Sequence, residues 1–268
     1  LTELIDLLQQ EQFDYIIDLH QNFRSNRIKS RLGIPSFSFK KLNFEKFLLV
    51  SFKINRMPGK HIVDRYLETL SVFDVTNDGE GLDFFIPENE TFNLSELPET
   101  HRNGYVAFVI AGTWETKKLP VGKVAEICNR IPFPVILLGG KLESEEGEKI
   151  AALTGDNILN LAGKISLFKS ASLVRDARVV LTNDTGLMHI AAAFKKKILS
   201  FWGNTVPQFG MYPYQAHPAS EMMEVAGLKC RPCSKLGYHS CPKKHFRCME
   251  EQNVEHAVAW INKNFDPD

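Results

Sequence analysis

The second half of the chain alternates short, continuous apolar runs with longer amphipathic segments. The apolar runs predict strands at residues 105–110, 134–138, 157–161, 178–181 and 197–202. The segments between them predict helices at residues 120–130, 143–153, 167–176 and 186–194. Apolar strands that alternate with helices of about ten residues are typical of a parallel, doubly wound α/β sheet. In such sheets, ligands bind at the carboxyl ends of the strands.

The first half of the chain shows the same alternation less regularly. The pattern predicts a helix at residues 2–10, a strand at 15–19, a helical piece at 45–54 and a helix at 61–73. Residues 76–104 are acidic, polar and rich in turn formers, which predicts a linker. We therefore expect one domain at residues 1–100, a second at 101–250 and a terminal helix within 251–268.

The charge balance excludes one broad class of function. The 268 residues include 32 basic and 32 acidic side chains, so the formal net charge is zero. A general nucleic-acid binder needs a basic surplus to neutralise phosphates, and we expect no nucleic-acid partner. The sequence shows neither a run of about 18 apolar residues nor a signal-peptide pattern, which predicts a cytoplasmic protein.

The most informative segment is a buried strand that leads into Asn-Asp-Thr-Gly and then into an alanine-rich helix. Thr185 and Gly186 would present free backbone N–H groups at the helix N-terminus, where an anion such as phosphate is favoured. Asp184 precedes them, and His189 follows one turn into the helix. The alternative is structural, with Asp184 as a helix cap and His189 as a hydrogen-bonded interior side chain. An aspartic-protease site is excluded because the sequence has no second Asp-Thr-Gly.

A second candidate segment follows the predicted strand at 105–110. Gly112 permits close backbone approach, Thr113 offers a hydroxyl group and Lys117 offers a positive charge for phosphate. The spacing is not that of a Walker loop. The alternative interpretation is a solvated loop whose lysines bind nothing.

Four of the five cysteines crowd into one short stretch. They are Cys230, Cys233, Cys241 and Cys248, with His239 and His245 nearby. The opening pair is spaced like zinc ligands, so one interpretation is a structural zinc site. The spacing of the remaining cysteines fits no common zinc module, and the other interpretation is reduced or disulfide-linked thiols.

Several further segments occur in a recognisable order. They are Ile17-Asp18-Leu19-His20 with Arg24-Ser25, His61-Ile62-Val63-Asp64-Arg65-Tyr66, Leu138-Gly139-Gly140, Asn183-Asp184-Thr185-Gly186-Leu187-Met188-His189, Phe201-Trp202-Gly203-Asn204-Thr205 and Cys230-Arg231-Pro232-Cys233. With the loop at 113–120, they resemble glycosyltransferase family 9, the ADP-heptose:lipopolysaccharide heptosyltransferases. The resemblance runs from about residue 13 to residue 265, and its most specific part is the Asp-Thr-Gly-Leu-Met-His run.

The resemblance implies a fold and a donor site. The fold would be of the GT-B type, in which two Rossmann-like domains face each other across a cleft. Thr113 and Lys117, with Gly112 beside them, would hold the diphosphate of a nucleotide sugar. Thr185 and Gly186 would add backbone donors, Asp184 and His189 would shape the pocket, and Glu143 would hold the ribose hydroxyls.

The resemblance also implies an acceptor side in the N-terminal domain. Arg24, His61 and Arg65 would meet an anionic, lipid-linked saccharide, since guanidinium groups suit carboxylates and phosphates. The alternative for Arg65 is a structural pair with Asp64. The terminal helix would pack back toward the N-terminal domain, as in other GT-B proteins.

The chain departs from the family pattern at its start. Family members open with a strand and a Gly-Asp loop that carries the proposed general base, and we expect that segment to precede Leu1. Asp18 is a less favoured substitute for that base.

The resemblance as a whole implies a metal-independent transferase that needs no cofactor. It would move heptose from a nucleotide diphosphate, ADP-heptose by resemblance, to a lipopolysaccharide-core acceptor with inversion. We expect a monomer with at most peripheral contact at the inner face of the inner membrane. The alternatives are a non-catalytic nucleotide-sugar-binding protein and, less favoured, a GT-B sugar-nucleotide epimerase.

Overall fold

The computed structural model describes residues 1–265, which form two parallel sheets. The N-terminal part consists of helix α1 (Thr2–Gln10), strand β1 (Ile16–Asp18), helix α2 (Phe23–Leu32), strand β2 (Ser36–Ser38), helix α3 (Asn43–Phe52) and helix α4 (Ile62–Leu67). Strands β1 and β2 pair in parallel, with Ile16 opposite Ser36. The bounds of α1 agree with the sequence prediction, and β1 lies inside the predicted strand.

The sequence prediction misses α2, because few of its residues are apolar and they show no clear helical period. Local chemistry sets its ends instead. The Asn22 side chain accepts a hydrogen bond from the Ser25 backbone N–H at 2.9 Å, and the Ser25 hydroxyl accepts one from the Asn22 N–H at 2.9 Å. Gly33 ends the helix in the left-handed conformation, with φ of +66°. The reciprocal cap at Asn22 and the glycine at the C-terminus therefore define α2, although the helix has no amphipathic pattern.

The region between the two sheets differs from its prediction in two ways. The helix expected at residues 61–73 is split into the six residues of α4 and a 3-10 helix, Glu68–Phe73. The predicted linker packs against the large sheet. Leu97 is buried in an apolar cluster with residues of that sheet, and Phe92 packs against the cluster. The Phe92 backbone N–H also donates to the Ser172 hydroxyl at 2.9 Å. Helix α5 (Glu99–Arg102) then leads into the larger sheet.

The larger sheet has six parallel strands in the order β5-β4-β3-β6-β7-β8. Its strands are β3 (Val106–Val109), β4 (Val135–Leu138), β5 (Ile158–Asn160), β6 (Val179–Asn183), β7 (Lys197–Trp202) and β8 (Glu221–Glu224). Helices α6 (Val121–Asn129), α7 (Ser144–Ala152), α8 (Leu167–Asp176) and α9 (Gly186–Ala193) connect the first five of them. The predicted parallel α/β sheet is confirmed, with β7 and α8 at their predicted bounds.

Both faces of this sheet are buried, as the continuous apolar runs require. Along β3, Val106 and Phe108 point into one apolar cluster, while Ala107 and Val109 point into another. The Phe108 and Phe201 rings stack with centroids 6.1 Å apart. The prediction misses β8, because this edge strand reads Glu-Met-Met-Glu and buries only Met223. An edge strand with charged ends lacks the apolar run that identifies a central strand.

The terminal helix lies elsewhere than predicted. After the short helix α10 (Arg247–Glu250), helix α11 (Val254–Asn264) packs against α6 and β7. Its apolar face, including Ala257 and Ile261, belongs to one cluster of the large sheet. The Trp260 indole N–H donates to the Ala219 carbonyl at 2.9 Å, and Phe265 stacks on Phe133. The helix therefore covers the second sheet rather than the N-terminal part. Residues 266–268 of the predicted terminal segment lie outside the described residues.

Within residues 1–265, every helix is too short or too polar to cross a bilayer.

The N-terminal part contacts the loop that follows β7. Leu49 of α3 is buried with Val206 and Phe209 in a small apolar cluster. At the start of α4, the Ile62 N–H donates to the Gly210 carbonyl at 2.7 Å. These contacts hold the N-terminal part against the carboxyl ends of the large sheet's strands.

Gly210 joins the two parts where a side chain would not fit. Its φ is +79°, and a Cβ atom there would lie 2.6 Å from the Lys60 carbonyl oxygen. Replacing Gly210 with alanine is expected to lower the free energy of unfolding by about 2–4 kcal/mol, because a backbone atom cannot move aside freely. Urea denaturation measures this loss. Gly59→Ala is the matched control, since its φ is +70° and its Cβ would meet nothing within 4 Å. Equal losses in both variants would contradict the steric account.

Candidate active site

Three loops converge at the carboxyl ends of β3, β6 and β7. The Lys117 ammonium lies 2.6 Å from Asp184 Oδ2, and both side chains are largely buried. The Thr205 hydroxyl donates to the same oxygen of Asp184 at 2.9 Å. The structure therefore brings together the two segments that the sequence analysis singled out, and adds Thr205 from the loop after β7.

Asn183 links the first two of these loops. Its side-chain oxygen accepts a hydrogen bond from the Leu119 N–H at 3.1 Å, and its amide nitrogen donates to the Ala111 carbonyl at 3.1 Å. The sequence analysis assigned Asn183 no role. A buried polar side chain at the end of an apolar strand was the available signal, because such a group needs partners.

The N-terminus of α9 faces open space beside the Lys117–Asp184 pair. Thr185 caps the helix, its hydroxyl accepting a hydrogen bond from the Leu187 N–H at 3.3 Å. Gly186 is exposed, and a Cβ atom there would meet nothing within 4 Å. The Leu187 and Met188 N–H groups bond to the hydroxyl and the carbonyl of Thr185, so within residues 1–265 the exposed Gly186 N–H is the one left for an anion at the positive end of the helix dipole.

His189 lies one turn into α9 and is partly buried. Burial lowers the pKa of His189, and the nearby Lys117 ammonium lowers it further, while the Asp184 carboxylate opposes both effects. Because the net shift is downward from an ordinary value of 6.5, the imidazole is neutral at pH 7. His189 therefore offers this edge a neutral hydrogen-bonding group rather than a second cation.

The remaining residues of the 111–119 loop have distinct environments. Thr113 is exposed at the loop surface. Gly112 passes close to Lys118, and a Cβ at Gly112 would lie 2.7 Å from Lys118 Cγ. The buried Lys118 ammonium lies 2.7 Å from Glu115 and 3.0 Å from Glu146. The two lysines of the loop therefore differ, since Lys118 is fixed among carboxylates and Lys117 faces the α9 N-terminus.

Glu143 is more enclosed than its predicted ribose-binding role requires. It is 5% exposed, and its Oε2 accepts a hydrogen bond from the Gly140 N–H at 2.9 Å. Its other oxygen lies 3.8 Å from the Lys118 ammonium. This geometry gives Glu143 a capping function at the end of β4 and argues against direct contact with a ribose.

The cysteine-rich segment, defined here as residues 229–250, braces the loop that carries Lys117. The Tyr238 N–H donates to the Thr116 hydroxyl at 2.8 Å, and the Thr116 N–H donates to the Tyr238 carbonyl at 3.2 Å. Gly237 lies so close to Trp114 that a Cβ there would be 2.3 Å from the Trp114 Cβ. Arg231 fixes the segment to the large sheet by donating to the carbonyls of Trp202 and Thr205 at 3.1 and 3.0 Å.

The three predicted acceptor residues fall into different environments. Arg24 is exposed on the first turn of α2. His61 is 1% exposed, and both ring nitrogens are engaged. Its Nδ1 accepts from the Val63 N–H at 3.1 Å, so Nε2 carries the proton and donates to the Tyr212 carbonyl at 2.8 Å. The acceptor-binding prediction for His61 is therefore wrong, because the side chain has no free nitrogen and caps α4.

Arg65 is buried but not fully satisfied. Its guanidinium donates to the Phe209 carbonyl at 3.2 Å and the Lys40 carbonyl at 3.4 Å, while its Nε atom has no hydrogen-bond partner. The alternative pairing with Asp64 does not form, since Asp64 accepts a hydrogen bond from the Tyr214 hydroxyl. Arg65 instead lines a pocket of about 490 Å³, together with Lys40 and Lys60.

Asp18 is held in a way that suits structure rather than proton transfer. The carboxylate is buried, and burial alone would raise its pKa. The Lys29 ammonium at 2.7 Å and hydrogen bonds from the backbone of Gln21 and His20 and the Ser25 hydroxyl outweigh burial and lower the pKa to about 2. A carboxylate this acidic is a weak base at neutral pH, so Asp18 does not replace the expected general base.

Replacing Asp18 with asparagine is expected to lower the free energy of unfolding by about 2 kcal/mol at pH 7. The folded-state pKa of about 2 lies below the ordinary 3.8, so the stabilisation is present above that value and lost as pH falls toward 2. Chemical denaturation between pH 7 and pH 2 measures the difference, with the exposed Asp14→Asn as control. A difference that persists unchanged at pH 2 would rule out this origin.

The structure does not support the zinc interpretation of the cysteine cluster. All five cysteines are free thiols, and Cys230 Sγ lies 3.9 Å from His245 Nε2. In the part of the chain that the structure describes, no three His, Cys, Asp or Glu side chains are arranged to hold a metal ion. Burial raises the pKa of Cys248 to about 11, so this thiol stays protonated at neutral pH.

Comparison with known proteins identifies the family. Lipooligosaccharide heptosyltransferase 2 of Haemophilus influenzae is 35% identical over 251 residues, which cover 86% of this chain and 72% of that protein. The structure of Escherichia coli ADP-heptose lipopolysaccharide heptosyltransferase II aligns with 98% of this chain and 80% of its own, with a TM-score of 0.69 and 19% identity. A family 9 glycosyl transferase from Veillonella parvula aligns with 98% of this chain and 78% of its own, with a TM-score of 0.71 and 19% identity. These structures confirm the predicted GT-B type of fold. A sequence profile of glycosyltransferase family 9 (heptosyltransferase) matches residues 1–242, and the chain belongs to this family.

Proposed function

We propose that this protein transfers heptose from ADP-heptose to a lipopolysaccharide-core acceptor, with inversion at the sugar carbon. The observation that carries the proposal is the meeting of Lys117, Asp184 and the open N-terminus of α9 at one edge of the sheet. The names of the related proteins support heptose as the sugar and a lipopolysaccharide or lipooligosaccharide as the acceptor. One related structure, an Escherichia coli heptosyltransferase, was solved with ADP.

The donor diphosphate would lie between Lys117 and the Gly186 N–H at the start of α9. Transfer breaks the bond between the sugar carbon and the diphosphate and forms a bond to the acceptor oxygen, so negative charge grows on the leaving ADP. A lysine and a helix N-terminus stabilise that charge where it develops, which is how a site can act without a catalytic metal. Asp184 and Thr205 hold the Lys117 side chain at this position before the donor arrives.

The acceptor would approach from the N-terminal part of the chain. The pocket beside Arg65 supports this placement, because the guanidinium Nε has no partner and Lys40 also lines the pocket, while Lys60 there is paired with Glu68. Buried guanidinium groups recognise carboxylates and phosphates. Arg24, being exposed, remains a candidate for the same role, and His61 does not.

Several finer predictions belong to this proposal. We expect a monomer in the cytoplasm, with peripheral contact at the inner face of the inner membrane, where a lipid-linked acceptor would be reached. Thr113, Thr185, Gly186 and His189 remain the predicted donor contacts. Glu143 does not, since its carboxylate is occupied by the Gly140 N–H and faces Lys118.

A transfer assay with ADP-heptose and heptose-deficient lipopolysaccharide core tests the proposal. We expect release of ADP that depends on the acceptor and a product with inverted configuration. Binding of ADP-heptose without transfer would favour the alternative, a nucleotide-sugar-binding protein. Acceptor-dependent release of UDP from a UDP-sugar, with no reaction of ADP-heptose, would contradict the proposed donor.

A further inference from the structure

A second polar cavity lies between α3 and the cysteine-rich segment. Its volume is about 260 Å³, and its polar wall is formed by Asn43, Lys46 and Ser51 from α3 and by Ser234, Lys235 and Tyr238 from the cysteine-rich segment. The cavity is separate from the pocket beside Arg65, which other residues line. It therefore lies where the N-terminal part meets the segment that braces the Lys117 loop.

The cavity carries positive charge that no carboxylate neutralises. Over residues 1–265, the side chains of Lys46 and Lys235 make no ion pair or hydrogen bond. The other cations near Lys46 are Arg65 and Lys41. Burial and the positive charges of Arg65, Lys235 and Lys41 lower the pKa of Lys46 to about 8. Like charges held together in a partly buried site destabilise the protein unless an anion binds between them.

Three other lysines of this chain that are buried or half-buried contrast with Lys46. Lys29 pairs with Asp18, Lys117 with Asp184, and Lys118 lies among three carboxylates. The acidic neighbour of Lys46 in sequence, Glu45, lines the separate Arg65 pocket. These three lysines are thus matched by acids, whereas Lys46, like Lys196, has no ion pair within residues 1–265.

We propose that this cavity binds a phosphate or carboxylate group, with Lys46 and Lys235 supplying the charge and Asn43 and Ser51 supplying hydrogen bonds. The volume exceeds that of one phosphate group, so part of a sugar ring fits beside it. Tyr238 lines the cavity and also pairs with Thr116, the residue before Lys117. An anion bound here would therefore lie next to the loop proposed to hold the donor.

The identity of the ligand rests on the proposed function. If the chain is a heptosyltransferase, the ligand is an anionic group of the saccharide acceptor. An anionic lipid headgroup offers the same chemistry. A soluble sugar phosphate and vesicles that contain phosphatidylglycerol distinguish the two sources.

Mass spectrometry of lysine acetylation tests the proposal at the level of single residues. At constant ionic strength, inorganic phosphate is expected to slow the acetylation of Lys46 and Lys235 and to leave the acetylation of Lys243, an exposed lysine of the same segment, unchanged.

In calorimetry, Lys46→Met and Lys235→Met are each expected to weaken phosphate binding about fivefold, the size of one charge-assisted contact. Lys243→Met is the control for loss of one positive charge. Failure of phosphate to protect Lys46, or equal affinity in Lys46→Met and Lys243→Met, would overturn the proposal.

Two further experiments are needed. One tests whether this site is separate from the donor site, and the other identifies the source of the anion. Protection of Lys46 is expected to persist in Lys117→Met, and loss of protection in that variant would overturn a separate site. Protection by glucose 6-phosphate but not by phosphatidylglycerol vesicles assigns the site to a saccharide, and the reverse assigns it to lipid. If Lys46 is protected while ADP does not bind the unmodified protein, the donor proposal fails and the anion site stands.

Discussion

Replacing Lys117 with methionine is expected to weaken the binding of ADP by at least about tenfold, the loss of one partly buried contact between a lysine and a phosphate. The reason is geometric, since the ammonium lies at the N-terminus of α9, held by Asp184 at 2.6 Å. Methionine keeps most of the side-chain length and removes the charge. Isothermal titration calorimetry with ADP measures the change in the dissociation constant.

Lys123→Met is the matched control for the Lys117 variant. Lys123 lies on α6, where it pairs with Glu126 at 3.3 Å. Its substitution removes the same charge from a different surface of the protein. Its ADP affinity is expected to equal that of the unmodified protein. Equal weakening in both variants would mean that overall charge, rather than a contact at Lys117, governs binding.

Replacing Gly237 with alanine is expected to lower kcat/KM for transfer by about tenfold to a hundredfold, because displacing a catalytic group by about 1 Å has effects of this size. The added Cβ would lie 2.3 Å from the Trp114 Cβ, an atom too close to the backbone to move alone. Either the cysteine-rich segment or the loop at residues 111–119 must shift. Because hydrogen bonds join Tyr238 to Thr116, the residue before Lys117, that shift would also move Lys117.

Gly227→Ala separates this effect from backbone strain. Gly227 has a φ of +75°, and a Cβ there would meet nothing within 4 Å. It is expected to lose some stability and to keep its kcat/KM. A Gly237→Ala protein that is fully folded by circular dichroism and transfers heptose normally would show that the brace does not position the loop.

The order of elements in the second half of the chain was predictable because each central strand is buried on both faces. Such strands need unbroken apolar runs, which β3 and β4 show in sequence. The position of the proposed donor edge followed from the same reasoning, since the loops that carry Asp184 and Lys117 each come just after a strand. That the two side chains meet at 2.6 Å required the sheet order, which places β6 beside β3.

The environment of the residues proposed for the acceptor side was harder to predict, because it is defined by tertiary contacts. His61 and Arg65 are polar in sequence, yet the loop after β7 buries both through the carbonyls of Tyr212 and Phe209. Nothing near them in sequence signals those partners, which lie more than a hundred residues away. The cap role of His61 could not be read locally either, because histidine is not among the residues that N-cap positions prefer.

Contacts with distant elements also explain why the environments of two charged residues were not predicted from the sequence. Glu143 lies beside a glycine pair that suggests a ligand loop, but its carboxylate closes a turn and meets Lys118 from a different loop. Nothing in the sequence singled out Lys46, because the positive charges near it, Arg65 and Lys235, come from other elements. Local patterns therefore indicated the loops that are proposed to hold the donor, while the balance of charges between elements could be read only from the fold.

The most direct test of the donor site is to map bound ADP with backbone amide NMR on the isotopically labelled chain. ADP is expected to shift the amide signals of Lys117, Thr185 and Gly186 most strongly, and UDP at the same concentration is expected to shift them less. Saturable shifts confined to other parts of the chain, with these three amides unmoved, would contradict a diphosphate site at the N-terminus of α9.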